Sequence, residues 1–311
     1  MNIAGPRAEH IANLLGFFTG VTAVIYVAVT AALVWALLRK RGRAQDAPAS
    51  TLAAADRRSR VVIGAAMALT VLVLIALGAA DFFVQRYLFK PPENPLRVIV
   101  TGHQYWWEVE YDDPDPTQRV RTANEIHIPV GRPVQLDLTS RDVIHSFWVP
   151  AITGKKDLIP GYRNTEVLLA DKPSLYTGQC AEFCGLQHAK MNLRVYAETP
   201  EQFEQWRQSQ LQSARAPATD AERHGLTVFT RSSCVLCHSI QGTDAGATVG
   251  PDLTHLASRQ TIAAGSLPNT PGNLASWITA PHEIKPGAQM PATALPPDDL
   301  AALTQYLVSL Q

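Results

Sequence analysis

Twelve residues between Cys180 and Met191 bring together side chains that bind metals. Their pattern is Cys-x-x-x-Cys-x-x-x-His-x-x-Met, with the second thiol at Cys184 and the imidazole at His188. Thiolate, imidazole and thioether together are the ligands that soft copper sites use. Two thiolates in one loop could bridge two copper ions, provided that a second imidazole comes from elsewhere in the chain. The best donor is His145, within the segment DVIHSFWVP.

Other interpretations of this segment stay open. A structural zinc site uses similar ligands, although it usually needs no thioether. The two cysteines could form a disulfide, or the spacing could mark one face of a helix. Gly178 and Gly185 flank the segment, which favours a loop. We expect the ligands on loops at one end of a rigid β-scaffold, where little has to move when the charge changes, so electron transfer is favoured over catalysis.

A second pattern, Cys234-Val-Leu-Cys237-His238, is typical of covalent haem attachment. The two thiols add to the haem vinyl groups, and the adjacent imidazole binds the iron. A redox-active C-x-x-C pair is the main alternative, but no thioredoxin-like βαβ pattern surrounds it. A thioether is a suitable second axial ligand, and Met290 in KPGAQMP is the methionine available in this part of the chain. The competing ligands are His255 and His282.

Two apolar segments near the N-terminus, about 11–38 and 61–84, are long enough to cross a bilayer. The charged residues between them are mostly basic: Arg39, Lys40, Arg41, Arg43, Arg57, Arg58 and Arg60, opposed by Asp46 and Asp56. The positive-inside rule therefore predicts a cytoplasmic loop, with both ends of the chain outside. A cleavable signal peptide fits less well, because the first apolar segment is too long. The balance of 27 basic and 27 acidic side chains argues against a nucleic-acid partner.

The remaining sequence predicts two outer domains. Residues 1–95 hold the membrane hairpin, and 96–200 contain short β-branched segments typical of an all-β sandwich or barrel. Residues 201–218 predict a short helix followed by a flexible linker, with Pro200 at an early helical position. Residues 219–311 predict a small all-α domain, with a helix around Gly225 and Phe229 and another from about Asp298.

The copper-type pattern also carries a family resemblance. Together with GHQYWW (102–107), DVIHSFWVP (142–150) and DLIPG (157–161), it resembles subunit II of the haem-copper cytochrome c oxidases over about 11–197. Residues 219–311 resemble a class I cytochrome c. The resemblance implies a multi-domain membrane protein: a two-helix transmembrane hairpin, an all-β cupredoxin sandwich and an all-α cytochrome c domain.

The resemblance implies site residues as well. The ligands of a binuclear copper A centre would be His145, Cys180, Cys184, His188 and Met191, with the backbone carbonyl of Glu182. The carboxylate of Glu182 would also reach a magnesium ion at the contact with subunit I. Haem c would be held by Cys234 and Cys237, with His238 and Met290 as the axial ligands of its iron.

The implied function is electron relay in a terminal oxidase. Electrons would pass from haem c through copper A to subunit I, where oxygen is reduced and protons are translocated. The implied partners are subunit I, subunit III, membrane lipid and an upstream cytochrome or respiratory complex as electron donor. The implied location is the bacterial cytoplasmic membrane, with the copper and haem domains on the periplasmic side. The flexible linker would raise the local concentration of haem beside copper.

This sequence departs from the family pattern at two positions. The family often reads GHQWYW, and here Tyr105 stands at the first aromatic position, so the residues that receive the electron are drawn from Tyr105, Trp106 and Trp107. The second span also begins without the glutamate that opens a proton channel in several relatives; Asp56 is the nearest carboxylate.

Two other functions stay open. The chain could be the copper A subunit of a nitric oxide reductase, or a membrane-anchored redox or copper-binding protein without a catalytic partner. A quinol-oxidase subunit II fits poorly, because that branch lacks the copper ligands.

Overall fold

The computed structural model describes residues 3–39 and 49–311. It divides into two compact units, one comprising the residues up to Ala8 together with Pro92–Gln311, and the other comprising Glu9–Pro91. Lys40, Arg41, Arg43 and Asp46, on which part of the cytoplasmic-loop prediction depends, lie outside the described residues.

Two long helices make up most of the smaller unit. They are α1 (Pro6–Leu38) and α2 (Ala49–Leu88). By length and composition, Pro6–Leu38 and Ala54–Leu88 could each cross a membrane. His10 near the start of α1 stacks on Tyr87 near the end of α2, with ring centroids 4.1 Å apart, so the two helices run antiparallel. On α2, the exposed Asp56 pairs with Arg60 one turn later.

Ten strands build a β-sandwich in the larger unit. They are β1 (Leu96–His103), β2 (Trp106–Tyr111), β3 (Val120–Ala123), β4 (Glu125–Pro129), β5 (Val134–Ser140), β6 (His145–Trp148), β7 (Lys156–Leu158), β8 (Asn164–Leu168), β9 (Ser174–Cys180) and β10 (Asn192–Glu198). One sheet has the order β3-β2-β1-β5-β8, and the other β4-β10-β9-β6-β7. Alternate residues of β10 and β9 are buried, as expected when one face of a sheet packs against a core. We call this part, which carries the predicted copper ligands, the copper domain.

A set of short helices follows the sandwich. They are α3 (Pro200–Gln210), α4 (Asp220–Arg231), α5 (Pro271–Thr279), α6 (Pro281–Ile284) and α7 (Pro297–Leu307), with a small hairpin of β11 (Thr261–Ile262) and β12 (Leu267–Pro268) before α5. Helices α4 and α7 pack closely, because a Cβ at Gly225 would collide with the Ala302 carbonyl. Phe229, Leu303 and Tyr306 are buried in the core between them. We call residues 219–311, which carry the predicted haem ligands, the haem domain.

The segment that joins the two domains is bounded by capped helices. Thr199 and Gln202 form a capping box at the start of α3, and Thr219 and Glu222 form one at the start of α4. Between the helices the backbone is irregular, but its groups are bound. The amide of Ala214 donates to Gln241, and the Arg215 guanidinium pairs with Glu222. The expected flexible linker is therefore held against the haem domain along part of its length.

The predicted fold class is confirmed in its order: two apolar helices, a β-sandwich and a helical domain. Pro200 is the first residue of α3, as the sequence predicts. Helix α4 contains Gly225 and Phe229, and α7 begins one residue before Asp298.

Candidate metal centres

The copper-type segment lies where two neighbouring strands meet a loop. Strand β9 ends at Cys180, and Met191 directly precedes β10. His145 is the first residue of β6, which pairs with β9 through Phe147 and Cys180. The intervening loop turns at Gly185, whose φ of +123° favours glycine. The segment is thus a loop anchored at both ends, and neither a continuous helix nor a disulfide.

The ligand atoms converge on one small volume. The Sγ atoms of Cys180 and Cys184 lie 3.9 Å apart, well beyond the roughly 2.05 Å of a disulfide. Cys180 Sγ lies 4.0 Å from Nδ1 of His145, and Cys184 Sγ lies 3.8 Å from Nδ1 of His188 and 3.9 Å from Sδ of Met191. Metal–thiolate bonds of about 2.3 Å allow both sulfurs to bind one ion between them. Each imidazole is near a different sulfur, which fits a pair of ions bridged by the two thiolates.

Neighbouring groups fix the orientation of His145. Its Nε2 lies 2.8 Å from Oδ1 of Asp142, so Nε2 carries the proton and Nδ1 keeps its lone pair toward the sulfurs. Asp142 is itself held by the amide of Gln104 at 2.6 Å, and the Gln104 side-chain amide donates to the Cys184 carbonyl at 2.6 Å. Gly102 leaves room for the ring, since a Cβ there would lie 2.7 Å from Cδ2 of His145.

The two thiols affect each other's ionisation. The contact with Cys184, followed by the bond to His145, holds the pKa of Cys180 far below its ordinary value despite burial. The same sulfur contact, together with burial, raises the pKa of Cys184. Burial lowers the pKa of His145, but its bonds to Cys180 and Asp142 outweigh this effect and raise it overall. The lowered pKa of Cys180 favours its thiolate, which is the form that binds a cation.

Glu182 contributes in two ways. Its carbonyl oxygen lies 3.2 Å from Cys180 Sγ, so it faces the ligand cluster. Its carboxylate is about half exposed and lies 4.0 Å from Nζ of Lys155. The carboxylate is therefore open to a metal or a partner at the surface.

The three aromatic residues of GHQYWW occupy different environments. Trp107 is fully buried, and its indole N–H donates to the Met191 carbonyl at 3.4 Å. Trp106 stacks on His103 with centroids 4.3 Å apart. Tyr105 is buried, and its hydroxyl accepts the amide N–H of Leu186 at 3.1 Å. Leu186 lies in the loop between Cys180 and Met191, which we call the copper loop. Tyr105 and Trp106 also line the cavity of the haem domain, whereas Trp107 contacts the copper ligands.

Cys234, Cys237, His238 and Met290 all line one largely apolar cavity in the haem domain. The two thiols are free, as haem attachment requires. The competing ligands lie elsewhere: His255 is buried and contacts the carbonyl of Gln212, and His282 is exposed on α6. Among the alternatives that the sequence leaves open, Met290 is the one that shares a cavity with His238.

The proximal imidazole is held much as His145 is. Nδ1 of His238 donates to the Pro251 carbonyl at 2.8 Å, which leaves Nε2 free to bind iron. Burial lowers the pKa of His238 and so favours the neutral ring that binds a metal. Gly250 packs against this ring, since a Cβ there would lie 2.8 Å from Cε1. The residues present fit a covalently attached haem with two axial ligands.

Three supporting residues were not singled out from the sequence. Asp142 stands in the quoted segment three residues before His145, and its acidic side chain beside a predicted ligand was a usable signal. Gln104 likewise lies within GHQYWW. Lys285 contacts Tyr105 across 180 positions of sequence, and no local pattern indicates such a contact.

Comparisons with known proteins agree with this arrangement. Residues 96–198 match the family "Cytochrome C oxidase subunit II, periplasmic domain", and residues 223–311 match the family "Cytochrome c". Cytochrome c oxidase subunit 2 of Alkalihalophilus pseudofirmus is 36% identical over 248 residues, which cover 77% of this chain and 70% of that protein. The chain belongs to the cytochrome c oxidase subunit II family. The Bacillus subtilis member is 30% identical over 249 residues, which cover 77% of this chain and 69% of that protein.

A solved structure of the periplasmic domain of subunit II of cytochrome oxidase from Bradyrhizobium japonicum is 30% identical. The aligned region covers 38% of this chain and 95% of the solved chain, with a TM-score of 0.36. The family assignment rests on the sequence relatives.

Family membership has general consequences. The chain is a subunit of an oxidoreductase, a cytochrome c oxidase, and a subunit I is its partner. The two matched families imply copper A and haem c in general terms. The two apolar helices and the matched periplasmic domain indicate a membrane-anchored subunit with an outer domain.

Proposed function

We propose that this chain relays electrons from its own haem domain to its copper domain, and from there to subunit I, where oxygen is reduced and protons are translocated. The observation that carries the proposal is the convergence of both predicted ligand sets, one on a strand-anchored loop and one around an apolar cavity. When bound, copper A and haem c each accept and release one electron at a time.

Copper A would be held by His145, Cys180, Cys184, His188, Met191 and the carbonyl of Glu182. The chain holds them on paired strands and orients His145 through Asp142, so few atoms have to move when an electron arrives. The Cys184–Met191 contact keeps the thioether beside the sulfur pair. Such rigidity favours rapid electron transfer over substrate chemistry.

Haem c would be held by Cys234 and Cys237, with His238 and Met290 as ligands of its iron. The chain lines the haem cavity largely with apolar side chains, and the Pro251 carbonyl orients the imidazole of His238. A methionine as the sixth ligand raises the potential relative to a second histidine. Tyr105 and Trp106 are the residues that receive the electron, because they line the haem cavity from the copper domain.

Further assignments follow from family membership and the exposed groups. The Glu182 carboxylate holds magnesium at the contact with subunit I, because it is open at the surface beside the copper loop. The complex includes subunit III, and an upstream cytochrome or respiratory complex delivers electrons to the haem domain. The chain lies in the bacterial cytoplasmic membrane, with 1–95 as the hairpin, 96–200 as the copper domain, 201–218 as helix and linker, and 219–311 as the haem domain outside.

Rapid mixing of the purified, oxidised complex with a reductant tests the relay. We expect a c-type haem band to be reduced first, the near-infrared copper band second, and oxygen to be consumed. Reduction of copper before haem would contradict the direction of transfer. Consumption of nitric oxide instead of oxygen would assign the chain to a nitric oxide reductase, and purification without a polytopic partner would favour a solitary redox or copper-binding protein.

A further inference from the structure

Lys285 is a charged residue buried between the copper and haem domains. Its side chain is among the largest that are fully buried in the described chain, with the residue 2% exposed. Lysine is almost never fully buried unless its ammonium finds partners. Here Nζ donates to the carbonyl of Tyr105 at 2.8 Å and to that of Ala263 at 3.1 Å.

These two bonds connect the two ligand-bearing loops. Lys285 lies five residues before Met290, on the same loop of the haem domain. Tyr105 belongs to the copper domain, and its hydroxyl accepts the amide of Leu186, which lies between Cys184 and His188. A short series of hydrogen bonds therefore runs from the Met290 loop to the copper loop.

Other contacts join the same two domains. Arg259 of the haem domain lies 3.9 Å from Glu125 of β4, and both side chains are buried. The amide of Asn192 donates to the Ala264 carbonyl at 3.2 Å. At the rim, Lys190 donates to the Ile284 carbonyl at 2.8 Å, and this bond is exposed to solvent. Buried polar contacts fix an interface more strongly than rim contacts, because a missing partner leaves a desolvated group unpaired.

We propose that Lys285 is a positioning residue for electron transfer, holding the Met290 loop at a fixed distance from the copper loop through the Tyr105 carbonyl. This inference rests on the proposed relay and adds to it the residue that sets its geometry. Electron transfer then occurs from one fixed arrangement of the two domains, and it does not require the haem domain to move on its linker.

The chemistry of the amine suits this role. Burial lowers the pKa of Lys285 to about 7. A neutral amine still has two N–H groups, one for each carbonyl, so both bonds can persist when the proton leaves. Loss of the amine would leave the carbonyls of Tyr105 and Ala263 without this donor in a buried interface, which favours separation of the two surfaces.

The test compares Lys285→Met with wild type in the purified complex that holds haem and copper. Methionine keeps most of the side-chain volume and removes every donor. Pulsed EPR measures the distribution of distances between the oxidised haem and the copper centre, and flash reduction of the haem gives the rate of its transfer to copper. Lys172→Met, at an exposed lysine of the copper domain outside this interface, is the matched control.

We expect K285M to keep both optical spectra, to broaden the distance distribution and to slow haem-to-copper transfer by on the order of tenfold, since misplacement of about 1 Å can have large kinetic effects. K172M should match wild type. A narrow distribution and an unchanged rate in K285M would overturn the inference.

The distance distribution of the wild-type complex tests the positioning role even if K285M does not fold. This distribution should be narrow and the same at low and high salt, because a buried contact is poorly screened. A distribution that is broad, or that broadens with salt, would overturn the positioning role. Absence of the haem or copper signal in wild type would instead refute the proposed relay, and the optical spectra report that separately.

Discussion

The two candidate metal centres differ in how much the polypeptide arranges by itself. At the copper site the ligand atoms contact one another, and Asp142 and Gln104 hold them from behind. At the haem site the ligands instead line a cavity. The first centre is a preorganised cluster on strands, whereas the second is a cavity that a haem would fill. Substitution of a ligand or omission of the cofactor should therefore affect the copper domain and the haem domain differently.

The largest effect should come from Cys180→Ser in the full-length complex. Serine cannot bridge two copper ions, so the near-infrared copper absorption and oxygen consumption should be lost, while the reduced c-type haem band stays. Optical spectra and an oxygen electrode measure both. The reciprocal variant Cys234→Ser should weaken haem attachment and spare the copper band. If C180S keeps both signals, the ligand assignment is wrong.

Omission of the haem should separate the two domains in stability. A chain produced without haem attachment keeps a cavity at the centre of the haem domain, and it also lacks the stabilisation that a bound group gives the folded state. We expect amides of α4 and α7 to lose protection from hydrogen exchange, while those of β1 and β5 change little. Equal protection of both domains would show that the haem domain is as preorganised as the copper domain.

Asp142→Asn should have a smaller and local effect. The asparagine amide can turn its N–H₂ group toward His145, so it no longer fixes the proton on Nε2 of the imidazole as the carboxylate does. Copper affinity should therefore fall by roughly 10–100-fold. Competition with a copper chelator measures this, and the haem spectrum should not change. Asp171→Asn, at an exposed carboxylate, is the control. An unchanged affinity would mean that the sulfurs alone set the geometry.

An effect of a different kind, spread over a range of pH, should be the pH dependence of stability due to Lys285. Its pKa is lowered to about 7 in the folded chain, from an ordinary value of 10.5. Below about pH 7 both states hold the proton and burial disfavours folding in full. Between about pH 7 and 10.5 the unfolded state binds more protons, so the free energy of unfolding should rise with pH. Denaturant unfolding of wild type and K285M checks this: the variant should lack that part of the slope, and equal slopes would contradict it.

The sequence was most informative where chemistry depends on local spacing. The pattern from Cys180 to Met191 and the Cys234–His238 motif predicted which side chains gather, and the apolar periodicity predicted the helices around Phe229 and Tyr306. Spacing could not choose among Met290, His255 and His282. Met290 was predicted because it is the methionine available in this part of the chain, and the structure places it in the same cavity as His238.

The relation between the two domains was not predictable from local pattern. Composition indicated a flexible linker, but Ala214 and Arg215 find partners in the haem domain. Lys285 stands in a Pro/Gly loop whose sequence gives no sign of burial, yet its side chain is buried and donates to the carbonyl of Tyr105, 180 positions away. Such contacts depend on how two finished surfaces fit.

Two of the three predicted imidazole ligands rest against a glycine that is not itself a ligand, Gly102 behind His145 and Gly250 behind His238. Even a methyl group at either position would push the ring off its axis. In a saturation mutagenesis map of respiration, these two glycines should therefore stand out as sharply as the ligands themselves. Their intolerance to substitution would reflect the space that the imidazole needs beside the backbone. It would not show that the glycines bind a metal.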